Sequence, residues 1–230
     1  RDVERSRGLG DVYKRQVQYS LISDELDING SVEFTSSDAR LTSVGTFVPD
    51  FSGITKPQKA VLTLAMGELH NSYVFWLYPQ TDVEITENGI KTADDELIFT
   101  DSVEKAKVLI ASGKKAMVIT DGSNAIENAY CADFWNYHMF RVISESMNKP
   151  VAPGTMGLLI DKNDKLLSAF PCEKFTTPQW YEAVTHSKAD ILDDTPDVTP
   201  IVRVVDNTER CHRLGMLYKK NGILHCSIRL

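Results

Sequence analysis

The sequence is short of positive charge. It carries 25 Lys and Arg against 32 Asp and Glu, a formal net charge of −7 over 230 residues. A polyanion-binding protein normally shows a basic stripe; here the densest basic cluster is Arg210, His212 and Arg213, so a nucleic-acid partner is not expected. No apolar run approaches the roughly 18 residues needed to cross a bilayer as a helix. The four cysteines, Cys131, Cys172, Cys211 and Cys226, form no C-x-x-C. Zinc and thioredoxin-like redox motifs are therefore absent. Buried small apolar residues are the simplest account of them, and disulfides are the alternative in an oxidising compartment. Glycine-rich phosphate cradles, G-x-G-x-x-G and Walker sequences, are missing too, so no cofactor or metal is indicated. There is no internal repeat or low-complexity stretch.

What is present is an ordinary globular balance, 42% hydrophobic and 25% charged, on a chain long enough to bury a core. Residues 1–16 (RDVERSRGLGDVYKRQ) carry four arginines and a lysine without an apolar h-region. They do not form a signal peptide. The string RGLGDVYKRQ resembles translated library-adaptor sequence and is expected to be a non-native leader.

Residues 17–80 read as all-β. Ser31–Thr35 alternates with period two, and the runs AVLTLAM (60–66) and NSYVFWLY (71–78) are rich in strand-forming residues. Turn signals fall at Asp27–Gly30, Pro49–Gly53 and Lys56-Pro57. The pattern is that of the last strands of an antiparallel, immunoglobulin-like sandwich. Residues 81–96 read as a linker.

The rhythm changes at residue 97. A strand at Leu97–Phe99 leads to Asp101, an expected N-cap with Glu104 as its capping-box partner. Val103, Ala106, Leu109 and Ile110 follow helical spacing, and Gly113 is placed to stop the helix. The apolar strand AMVIT (116–120) completes a β–α–β unit with a parallel pair. Further strands are expected at 157–160, 201–205, 214–218 and 223–227, and helices at 140–147 and 178–186. Asn221-Gly222 is a hairpin signal. Residues 97–230 thus read as a three-layer α/β domain with an antiparallel edge.

Several groups of residues are candidates for chemistry. Ser123 follows an apolar strand, but Asp121-Gly122-Ser123-Asn124 lacks the second glycine of a nucleophile elbow. Cys131 and Cys172, with His138 or His186 as base, are the other candidate nucleophiles of a small hydrolase or amidotransferase. A polar turn and buried thiols explain the same residues. The acid pairs Asp94-Asp95 and Asp193-Asp194 read as solvated turn residues. The aromatic clusters at Trp135, Asn136, Tyr137 and at Trp180, Tyr181 can stack on sugar rings or pack a core. The loop from Asp206 and Asn207 to Arg210 and His212 can bind a polar ligand, or Asp206 and Asn207 can cap the turn while Arg210 pairs with Glu209 or a neighbouring domain. Asn29-Gly30-Ser31 matches a glycosylation acceptor, although a turn accounts for it.

Three stretches also carry a resemblance. Asn71–Pro79 (NSYVFWLYP) is similar to a sandwich-closing N-S-W-x-x-W-V-Y-P strand. Asp133–Asn136 followed by Pro153–Asp161 and Phe170-Pro171 is similar to an F-W-N … P-x-T-M-G-x-L-x-D … F-P signature. Pro200–Asn207, with Arg210, His212 and Leu214-Gly215, is similar to P-I-V-x-V-I-D-N-x-x-R-x-H-x-L-G. Together these resemble large glycoside hydrolases of family 2, of β-galactosidase-like or sugar-binding-domain type. Tyr73 departs from the pattern, which has Trp there, and the residues from Leu224 onward depart from the family's ending. The resemblance implies a β-sandwich followed by a flavodoxin-like domain, similar to class I glutamine-amidotransferase-like domains without their nucleophile. It implies a catalytic (β/α)₈ barrel upstream in the same polypeptide, a periplasmic or secreted location, and no catalytic residue in this chain. A carbohydrate is the implied ligand, if one binds.

Overall fold

The computed structural model describes residues 13–36, 42–128, 138–148, 155–207 and 210–228. The chain is mostly β and divides into two compact units, residues 1–80 and 81–230.

The first unit is one antiparallel sheet of four strands: β1 (Tyr13–Ile22), β2 (Asp27–Ser36), β3 (Gln58–Met66) and β4 (Leu69–Leu77), in the order β2-β1-β3-β4. Strand β1 starts inside the segment expected to be a leader, and Gln16 pairs with Glu33 in the β1–β2 ladder. The turn expected at Asp27–Gly30 lies instead within β2, and the chain reverses at 23–26, where Ser23 N–H bonds Leu26 O at 2.8 Å. Gly30 serves a different purpose. Tyr19 crosses directly over it, and a Cβ there would sit 2.3 Å from the Tyr19 hydroxyl. Because side chains alternate along a strand, Leu21, Ala60 and Leu77 share one face and form the core with Ile54 from the 42–57 loop. Glu25 fastens that loop: its carboxylate accepts from Thr55 N at 2.9 Å, from the Thr55 hydroxyl and from Gln58 Nε2.

The second unit is built on a ten-stranded mixed sheet. Its strands are β5 (Glu84–Thr86), β6 (Gly89–Lys91), β7 (Glu96–Thr100), β8 (Lys115–Ile119), β9 (Ala125–Glu127), β10 (Thr155–Ile160), β11 (Lys188–Ile191), β12 (Val198–Asp206), β13 (Leu214–Lys220) and β14 (Ile223–Cys226). The order is β10-β12-β13-β14-β8-β7-β6-β5, with β11 bridging β13 and β9. Residues 84–91, expected to be linker, form a hairpin that extends the sheet through β6–β7. The two parallel ladders are β7–β8 and β8–β14. Antiparallel pairing dominates, where the sequence pattern had suggested a three-layer α/β domain. The helices are short, α1 (Val103–Ala111), α2 (His138–Ser146) and α3 (Tyr181–Thr185), and among the described residues only α1 connects two adjacent parallel strands.

Helix α1 shows how local chemistry sets its ends. Ser102, one residue after the expected Asp101, is the N-cap; its hydroxyl accepts from Lys105 N and donates to Glu104. Gly113 ends the helix at φ +83. Its N–H bonds Ile110 O at 2.9 Å, and Lys114 N–H reaches back to Leu109 O at 3.0 Å, the pair of bonds that define a Schellman stop. Ala106 packs on Ala116, Val118 and Ile223, whereas Ile110, expected on the buried face, is exposed. The main core gathers Leu158, Ile160, Trp180, Val184, Ile201, Val202, Val204, Leu214 and Met216 on the β10–β12–β13 side. The β13–β14 turn holds Asn221 and Gly222 at φ 50 and 78, the geometry a type I′ hairpin requires.

Candidate functional site

The polar chemistry of the second unit collects in three places. The first is the loop between β12 and β13. Asp206 is buried, and its Oδ1 accepts from Asn207 N at 2.8 Å and from Arg210 Nε at 3.1 Å; its Oδ2 accepts from His212 N at 3.0 Å. Asn207 Oδ1 accepts from Arg210 N at 3.0 Å. Asp193 ties the loop to the neighbouring turn, with Oδ2 2.6 Å from His212 Nδ1 and Oδ1 accepting from Arg213 N at 2.6 Å. The His212 contact holds the Asp193 carboxyl below the usual carboxylate range. Arg210 thus pairs with Asp206; Glu209, its other expected partner, lies outside the described residues. Four of the expected site residues are brought together, and these bonds close and pin a loop.

The second place was not anticipated from sequence. Asp190 on β11 is 6% exposed. Thr120 Oγ1 donates to its Oδ1 at 3.0 Å and the Tyr218 hydroxyl to its Oδ2 at 3.1 Å. His225 stacks on Tyr218, ring centroids 5.2 Å apart and planes 12° from parallel. Burial raises the Asp190 carboxyl, and the two hydrogen bonds only partly oppose it. Burial first, then the Asp190 charge, push the Tyr218 phenol up, so it stays protonated and donates. Burial lowers His225, and its Nδ1 lies 3.0 Å from the Ile223 carbonyl. A carbonyl only accepts, so Nδ1 carries the proton. Gly215 is what lets the Tyr218 ring lie where it does: a Cβ there would come within 2.9 Å of Tyr218 Cδ1 and 2.6 Å of Leu192 Cδ1. A signal did exist. The Asn221-Gly222 turn fixes the register that sets Tyr218 opposite His225, and Asp190 is flanked by Ala189, Ile191 and Leu192.

The third place is a cleft of about 560 Å³ beyond the carboxyl ends of β7 and β8. The β5–β6 turn (Glu87, Asn88), Asp101 just ahead of α1 and Lys105 in its first turn form its polar walls, and Phe99, Ile119 and Ile228 are its apolar lining. Reading 81–96 as linker hid this wall.

Trp135, Asn136, Tyr137 and Cys131 lie outside the described residues. Trp180 is buried, edge-on to Phe170 at 5.2 Å; it packs the core and presents no stacking face. Its Nε1, with Thr177 Oγ1 and both Gln179 amide atoms, is buried without a hydrogen-bond partner. Ser123 is exposed and donates its N–H to Asp121 Oδ1 at 2.9 Å, which makes it part of an Asx turn. Cys172 is buried, with its thiol pushed up by burial, and His186 is engaged by Glu182 at 3.1 Å. Burial holds the Cys226 thiol at about 11. Cys172, Cys211 and Cys226 are free thiols. Among the described residues, no three His, Cys, Asp or Glu side chains gather as a metal site, and no helix is long and apolar enough to cross a membrane.

Among the described residues these features define a mostly β chain of two units, the second a mixed sheet with one β–α–β crossover, one polar cluster set into its strands and one in the loop that joins β12 to β13. The chain belongs to the family described as Domain of unknown function (DUF8487), whose model matches residues 97–229. A second model, Domain of unknown function (DUF8488), matches residues 8–79. No curated protein matches the chain.

Proposed function

We propose that this chain is a non-catalytic accessory region of a family 2-type glycoside hydrolase, packing beside a catalytic (β/α)₈ barrel carried upstream in the same polypeptide. In this reading the mixed sheet, with β7, β8 and β14 parallel, is a variant of a flavodoxin-like domain, the first unit is the end of a sandwich, and the protein works in the periplasm or outside the cell. One observation carries it. The stretch Pro200–Gly215 bears the resemblance most densely, and the described residues at its core and in its loop serve architecture. Ile201, Val202, Val204 and Leu214 enter the core, and Asp206, Arg210 and His212 are committed to holding one loop. Catalytic carboxylates of a glycosidase face a cleft about 5–9 Å apart with substrate between them; Asp206 instead accepts bonds from its own loop.

The test is turnover of a panel of p-nitrophenyl glycosides by the purified chain. Background rates are expected. Hydrolysis that disappears in Ser123→Ala or Cys172→Ser would replace this reading with the small-hydrolase alternative.

A further inference from the structure

The cleft beyond β7 and β8 is separate from both buried polar clusters, and the chemistry of its walls selects among ligands. Its position is the one where sheets with parallel strands commonly bind ligands, outside the strands' carboxyl ends. Its volume of about 560 Å³ lies within the range of small-molecule sites. Anions are disfavoured. Lys105, the cation in the wall, is held by Asp101 at 2.7 Å, and that contact keeps Asp101 ionised by lowering its pKa. The third and fourth amides of α1 are engaged as well: Lys105 N bonds the Ser102 hydroxyl and Ala106 N bonds Ser102 O. An incoming anion would meet the carboxylates of Glu87 and Asp101.

A neutral, hydroxyl-rich molecule is better served. Glu87 and Asn88 are exposed at the rim, where a carboxylate accepts strong bonds from hydroxyls and an amide both donates and accepts. Half-buried Phe99, Ile119 and Ile228 offer apolar surface to the C–H face of a ring. The rim is held in place from below, since Phe99 N–H bonds the Asn88 carbonyl at 2.8 Å. The Asn88 side chain plays no part in that bond.

We propose that this cleft binds a neutral saccharide of one or two rings, with Glu87 and Asn88 recognising its hydroxyls. The choice of saccharide over other neutral polyols rests on the glycan-processing reading above. The experiment is a titration of the ¹⁵N-labelled full chain with lactose and, separately, with putrescine as a cationic probe of the same acids. Lactose is expected to shift the amides of 86–88 and 99–105, and both Asn88→Ala and Glu87→Gln to raise its Kd about tenfold while leaving the remaining amide spectrum in place. Three results would overturn the proposal: no lactose-dependent shifts at millimolar ligand, shifts centred elsewhere or produced by putrescine instead, or an unchanged Kd in both variants. Such a failure leaves the scaffold reading intact, because that reading stands or falls on glycoside turnover.

Discussion

The Tyr218 hydroxyl donates to Asp190 Oδ2 at 3.1 Å across two strands of the sheet, and both residues are at least nine-tenths buried. The carboxyl therefore answers to pH in the direction opposite to a surface acid. Its folded-state pKa is raised, chiefly by burial. Its contribution to stability is complete below the unfolded-state value of about 4 and is lost as pH rises through the folded-state value. Carbon-13 titration of the Asp190 carboxyl is expected to give a midpoint above the ordinary carboxylate range. Asp190→Asn is expected to remove that part of the pH dependence of Tm. A midpoint below the range would show the group to be stabilised as an anion.

Packing around the same pair makes a second prediction. Gly215→Ala places a methyl 2.6 Å from Leu192 Cδ1 and 2.9 Å from the Tyr218 ring. Overpacking of this kind costs about 1–3 kcal/mol. Tyr218→Phe removes only the donor, at about 1–2 kcal/mol. Urea midpoints of the two single variants and the double variant test the coupling, since residues in contact are expected to be non-additive.

The β12–β13 loop depends on one carboxylate. Asp206→Ala removes one acceptor from Arg210 and one from the His212 amide together, in a site where the Asp206 side chain is 2% exposed. The expected cost is about 2–4 kcal/mol. Hydrogen exchange should quicken first at the His212 and Arg213 amides. Protection unchanged at those two positions would mean that Asp206 is not what closes the loop.

In the first unit the sign reverses. Glu25 is held below its usual pKa, most of all by the Thr55 hydroxyl. Its contribution is present above the unfolded-state value and is lost as pH falls through the folded one. Glu25→Gln is expected to loosen residues 55–58 near neutral pH and to make little difference in acid. Amide exchange at Thr55, measured at both pH values, decides the matter.

Legibility in the sequence followed the range of the interactions. Local rules placed α1, the Gly113 stop and the Asn221-Gly222 turn, because each is decided within a few residues. The same reasoning put a turn at Asp27–Gly30, where the composition was right but Tyr19, a neighbour across the ladder, needed a residue without a Cβ. It read 84–91 as linker, because two three-residue strands carry too little pattern to stand out before β7 is there to pair with. Trp180 was left between a sugar-stacking face and a core ring for a related reason: sequence gives a ring's size but not which side of the sheet receives it. Asp206, Asn207, Arg210 and His212 were found as a group because they sit within one loop. Asp190 and Thr120 come from segments far from the hairpin that pairs Tyr218 with His225, and only the register of the sheet brings the three together.

The hairpin of β5 and β6 also bears on how the protein can be divided. The family match begins at residue 97, yet β6 hydrogen-bonds along β7 from Gly89 to Lys91. A polypeptide started at 97 would leave that side of β7 as a bare row of amides and carbonyls, able to recruit another molecule's strand. One begun at 81 keeps its own guard, so the shorter version is the one expected to self-associate.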